Sequence, residues 1–112
     1  MQKTIIQPST FAYSLKGCVL TSIEREKKTC RLIFLKGIHK GREMTDGYVE
    51  VTQLYHDSYL ECHNKKTPIK NIHHLDLLVD AFSIGDDYLY IKGEDSLLVL
   101  HYAGKCLFQT TF

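Results

Sequence analysis

Short runs with an apolar residue at every second position, each closed by turn-forming residues, recur along most of this chain and confine it to β architectures. Thr29 to Lys36 shows the pattern best: Cys30, Leu32 and Phe34 alternate with Arg31, Ile33 and Leu35. Side chains two apart on a strand share one face of a sheet, so such a run suits a half-buried strand. Lys16 to Glu24 repeats it, with Val19, Thr21 and Ile23 on one side and Cys18, Leu20 and Ser22 on the other. The charged segment Glu24 to Lys28 between these runs makes them a hairpin. Gly37 to Gly47 is polar and glycine-bearing and reads as a loop. Tyr48 to Leu54 and Tyr59 to His63 read as strands around the turn Tyr55-His56-Asp57-Ser58. Further on, Tyr88 to Ile91, Leu97 to Tyr102 and Cys106 to Phe112 are separated by turns at Gly93–Asp95 and Ala103–Lys105. The expected fold class is mainly β, an antiparallel sandwich or barrel.

Thr67 to Gly85 supports two readings. Thr67 before Pro68 resembles a helix N-cap followed by proline at the first helical position. Ile72, Leu75, Leu78, Val79 and Phe82 then fall on one helical arc, which predicts a helix over about residues 68–83. Leu75, Leu77, Val79 and Ala81 also alternate as a strand would, with Ile72, Leu78 and Phe82 on the opposite face. Short apolar runs are not resolved by period alone.

The chain has 112 residues, 44% of them hydrophobic, enough for one domain over 1–112 whose core needs neither metal nor disulfide. Seven Tyr and five Phe with no Trp suit pleated surfaces. The net charge of +1 selects no partner, but its distribution is uneven. Residues 1–70 carry twelve Lys/Arg against seven Asp/Glu, and residues 71–112 carry two against six. Such asymmetry marks either an interaction face or two solvated surfaces that offset each other. Cys18, Cys30, Cys62 and Cys106 are widely spaced, with no CxxC. The N-terminus lacks the apolar stretch of a secretory signal, and no run approaches the roughly 18 apolar residues of a membrane helix. Reduced thiols, a cytoplasmic location and no membrane partner are expected.

The motifs that carry chemistry are weak. Six histidines (His39, His56, His63, His73, His74 and His101) invite a zinc reading. Structural zinc sites usually draw paired ligands two to five residues apart, whereas Cys62-His63 and His73-His74 are adjacent and would point to opposite strand faces. No metal ligand and no cofactor is expected. Tyr55-His56-Asp57-Ser58 holds residue types of a hydrolytic triad, but no GxSxG elbow or papain-like cysteine context accompanies it. Gly85-Asp86-Asp87 fits a hairpin turn better than a Mg²⁺ site. No GxxxxGK[ST] or GxGxxG is present. No residue is assigned as catalytic. The basic stretch Arg25 to Arg42, with Lys27, Lys28, Arg31, Lys36, Lys40 and the interleaved Phe34, admits single-stranded nucleic acid, although Phe34 shares its face with Cys30 and Leu32. Tyrosine favours protein contacts because it supplies area at little rotamer entropy. Tyr55, His56 and Tyr59, around a turn, are the candidate partner-binding residues.

Leu15 to Ile23, a charged turn, and Thr29 to Leu35 together resemble the opening hairpin of small bacterial immunity-type β-sandwich proteins. The likeness extends through Tyr48–Leu54 and the C-terminal hairpins in strand order rather than in distinctive residues. The Leu-His-Asp start usual in that family is absent, and no functional residue carries over. The resemblance implies a non-enzymatic protein-interaction domain that binds and blocks a toxin or enzyme. Two alternatives stand beside it: a small hydrolase or nuclease built on His56, His73 or His101, and a β-barrel binding nucleic acid or another ligand.

Overall fold

The computed structural model describes residues 2–5, 13–40, 43–45 and 47–110. Their strands are, in chain order, β1 (Gln2–Ile5), β2 (Tyr13–Ser14), β3 (Val19–Glu26), β4 (Thr29–Leu35), β5 (Ile38–Lys40), β6 (Glu43–Thr45), β7 (Gly47–Val51), β8 (Tyr59–Cys62), β9 (Lys65–Pro68), β10 (His74–Leu78), β11 (Ala81–Ile84), β12 (Tyr88–Lys92), β13 (Ser96–His101) and β14 (Cys106–Thr110). A six-stranded sheet runs β1-β14-β7-β4-β3-β10, and a five-stranded sheet runs β11-β12-β13-β8-β9. In a small third sheet, β2-β5-β6, the strands β5 and β6 fall in the stretch read from sequence as the 37–47 loop and correct that reading. Ile38 is fully buried there, which gives this short segment an apolar anchor. The final strand is described to Thr110, and the expected extension to Phe112 lies outside the described residues.

One buried cluster joins the two large sheets. The six-stranded sheet contributes Leu20, Ile23, Cys30, Leu32, Phe34, Val49 and Phe108, and the five-stranded sheet contributes Ile84, Leu89, Ile91, Leu98 and Leu100. The alternation of β4 is as read: Cys30, Leu32 and Phe34 point inward, and Arg31, Ile33 and Leu35 point outward. Burying each such aliphatic side chain contributes about 1.5–3 kcal/mol.

β3 departs from strict alternation. Its pairing with β4 slips between Leu20 and Ser22, where the Thr21 hydroxyl donates to the Ile33 carbonyl at 3.2 Å. A bulge adds one residue to a strand and so reverses the facing of the residues beyond it. Leu20 and Ile23 are therefore both buried, although plain alternation puts them on opposite faces.

Residues 68–83 are not helical. Pro68 ends β9, Ile69–Asn71 form one 3-10 turn, and β10 and β11 come next. The backbone of β10 pairs with β3, Leu77 opposite Leu20 and Leu78 opposite Val19. Just beyond, Val79 exchanges hydrogen bonds with Gly17 and Cys18, both at 2.9 Å. Leu77 and Val79 are buried while Leu78, on the helical arc, is 56% exposed. Pairing with the edge of the six-stranded sheet buries Leu77 and Val79 on one face and leaves Leu78 on the other, which is the period-two pattern.

Hairpin geometry obeys local chemistry. His63 and Asn64, at φ 52° and 64°, form the two-residue turn between β8 and β9, with the positive φ at both positions that a type I′ turn requires. No helix among the described residues is long and apolar enough to cross a membrane.

Candidate contact surface

The turn at residues 55–58 is tied to the end of β13. The Tyr55 N–H donates to the His101 carbonyl at 2.8 Å. Ser58 is 2% exposed; its hydroxyl accepts the His101 N–H at 2.9 Å and donates to the same residue's carbonyl at 3.4 Å. The Asp57 carboxylate lies 3.5 Å from Nδ1 of His101. Serine, histidine and aspartate thus meet, but the hydroxyl engages the backbone of His101 rather than its ring. Ser58 is a structural tether, with none of the nucleophile–base geometry that a triad needs.

Tyr59 lies on the outer face of the five-stranded sheet. Register places Ser83, Tyr90, Val99, Tyr59 and Pro68 in one row across β11, β12, β13, β8 and β9. Leu89, Ile91, Leu98 and Leu100 point to the core, so this row points away from it. Val99 is nonetheless only 4% exposed, although it stands outside the core cluster. Around it the Tyr88 and Tyr90 rings lie 4.6 Å apart, and Tyr90 meets His101 edge-on at 6.3 Å. Across the row Lys66 Nζ sits 4.7 Å from the Tyr59 ring centroid. The result is an aromatic face with a valine at its centre.

Of the three residues read from sequence, Tyr55 is 51% exposed and, with His56, lines a cleft of about 180 Å³ alongside Leu54, Pro68 and Lys70. Tyr59 faces the sheet surface beyond Pro68, so the trio is divided between two adjoining surfaces. Tyr88 and Tyr90 enter the sequence reading only as part of the strand Tyr88 to Ile91. Their alternation with Leu89 and Ile91 is the signal that assigns them to the solvent side.

The charge asymmetry also acquires a location. Four of the six acidic residues beyond position 70 (Asp76, Asp80, Glu94 and Asp95) line one cleft of about 550 Å³. In the basic stretch, Phe34 is buried, which removes the stacking platform from the nucleic-acid reading. Arg31 is held 3.2 Å from Glu50, a partner that raises the guanidinium's affinity for its proton. Asp86 and Asp87 form the turn before β12, where the Asp87 carbonyl accepts the Tyr102 N–H at 3.0 Å.

Among the described residues, no group of three or more His, Cys, Asp or Glu side chains is arranged to hold a metal. All four cysteines are free. Burial pushes Cys30 up to about 12, against a smaller opposing effect of Arg25. It pushes Cys106 up to about 12 as well, against the hydrogen bond with Tyr102. Burial likewise raises Cys18, partly offset by a hydrogen bond to the His39 backbone. These three thiols stay protonated at neutral pH and are poor nucleophiles. Cys30 and Cys106 both register with Val51, one on each side, so two strand spacings separate them, roughly 9–10 Å, beyond disulfide reach.

Comparison with protein-family models, with curated proteins and with solved structures finds no match for this chain.

Proposed function

We propose that this chain is a non-enzymatic protein-interaction domain whose contact surface is the aromatic outer face of the five-stranded sheet. Its action is that of an inhibitor or immunity protein of the cytoplasm, blocking a toxin or enzyme by occupying its surface. The observation that carries the reading is Val99, buried on the side away from the core between Tyr59 and Tyr90. A solvated sheet face ordinarily alternates polar side chains outward. Here the centre is an aliphatic side chain ringed by tyrosines, with Lys66 and His101 at the margin. Protein interfaces favour that composition: a dehydrated centre rich in Tyr, with charge at the rim. A typical partner would cover about 800 Å² of it. The free, proton-retaining thiols fit a reducing compartment.

The test is affinity capture from the native host with the tagged chain and with its Tyr90→Ala variant, at low and moderate salt. The reading expects a specific partner that the variant loses while keeping its far-UV spectrum. Capture of no specific partner overturns the interaction reading, and equal capture by the variant overturns the choice of face.

A further inference from the structure

A second surface lies at the seam between the sheets, where the end of β3 faces β9 and the 3-10 turn. The groove has two adjoining lobes of about 340 and 180 Å³, with Arg25, Ile69 and Lys70 lining both. His73, His74 and Glu24 line the larger lobe, and His56 and Tyr55 the smaller. The floor is apolar, made by Leu54, Ile69 and Ile72, all buried.

The charged groups of this groove are unequal in sign. Arg25 and Lys70 are cations, and Glu24 is the only carboxylate among the described lining residues. No ion pair within the described residues engages Arg25, Lys70, His56, His73 or His74. The Arg25 guanidinium donates to the Lys27 carbonyl at 3.3 Å and leaves its other N–H groups for a ligand. The nearby Asp57 carboxylate is turned to His101.

We propose that this groove binds an acidic segment of a protein partner. That the ligand belongs to a protein rests on the interaction-domain reading. The groove itself is separate from the aromatic face. Its chemistry suits a few carboxylates over an apolar floor. A nucleic-acid strand is a poorer match, because such complexes commonly neutralise about six to ten phosphates with Lys and Arg and stack bases on open aromatic faces. The groove supplies two permanent cations and a single tyrosine, Tyr55.

The experiment is fluorescence anisotropy of the full chain with a labelled hexa-aspartate peptide at low ionic strength. Aspartate stays ionised down to about pH 5, so the probe keeps its charge across the range. Saturable binding is expected at about pH 7.5 and at about pH 5.5, since Arg25 and Lys70 are charged at both. Arg25→Gln combined with Lys70→Gln weakens binding about tenfold at both pH values, and Lys70→Gln alone gives part of that loss. Tyr90→Ala leaves peptide binding unchanged. Absence of saturable binding at either pH overturns the proposal, as does unchanged affinity in both Lys70 variants. Tighter binding of a single-stranded oligothymidine of equal charge overturns the choice of a protein ligand. A chain that binds the peptide but captures no protein keeps the groove and loses the interaction-domain reading. One that captures a partner and ignores the peptide loses the groove alone.

Discussion

The Tyr102 hydroxyl donates to the carbonyl oxygen of Gly85 at 2.9 Å, fastening the end of β13 to the turn between β11 and β12. The same hydroxyl lies 3.1 Å from the Tyr88 carbonyl, and the Tyr102 ring is 1% exposed. Removing this buried hydroxyl leaves the Gly85 carbonyl short of a partner, whereas the Tyr88 carbonyl keeps the Gly85 N–H at 2.9 Å. Tyr102→Phe is expected to cost about 1–3 kcal/mol in urea unfolding, with little change in the denaturant slope. A variant as stable as the parent would show that water replaces the bond at no cost.

Gly104 packs against Thr52, whose carbonyl accepts the Gly104 N–H at 3.2 Å and whose hydroxyl accepts the Lys105 N–H at 2.8 Å. A Cβ on Gly104 would overlap both the side chain and the backbone carbonyl of Thr52. The backbone cannot swing aside as a side-chain tip could. Gly104→Ala is expected to destabilise by about 1–3 kcal/mol, read from the unfolding midpoint, and removing the side-chain part of the overlap by Thr52→Ala should recover little of it, because the carbonyl remains.

The β8–β9 turn is improvable. His63 and Asn64 both hold positive φ, and histidine bears more steric cost there than asparagine or glycine. Replacement by the Asn-Gly pair, His63→Asn with Asn64→Gly, is expected to stabilise by about 0.5–1 kcal/mol. Thermal unfolding checks it, and a lower midpoint would contradict the turn assignment.

Stability should fall steeply in alkali because of two buried thiols. Cys30 and Cys106 rise from the ordinary 9.0 to about 12 in the fold. Below pH 9 both folded and unfolded chains hold these protons, and the thiols add no pH dependence. Between about pH 9 and 12 the unfolded chain releases them first, so each thiol removes about 1.4 kcal/mol of stability per pH unit. Burial shifts Tyr102 in the same direction and steepens the loss above its ordinary 10.0. Unfolding free energies across this range should flatten in Cys30→Ala/Cys106→Ala, even though that variant starts lower for lack of two buried side chains.

β4 and β12 were legible because each is a single register over its whole length, so Cys30, Leu32 and Phe34, or Leu89 and Ile91, declare the inner face by themselves. Thr21 defeats the same reading in β3, since a bulge is a property of two strands and leaves no mark in one. The contact residues divide in the same way. Tyr55 and His56 stand out beside a turn, while the importance of Val99 is invisible until β12 and β8 flank it with Tyr90 and Tyr59. Arg25 lies far enough along the chain from Lys70 and His73 that nothing local announces a shared groove.

Local alternation and turn chemistry, read from the amino-acid order alone, established a layered β protein with short hairpins and an apolar interior. Three-dimensional pairing decided the rest: that Leu78 leaves its helical arc for an edge strand, that Leu20 and Ile23 share a face, and which side chains meet at the surface. Side-chain periodicity is a property of neighbouring residues, whereas hydrogen-bond partners and shared clefts come from segments that only folding brings together.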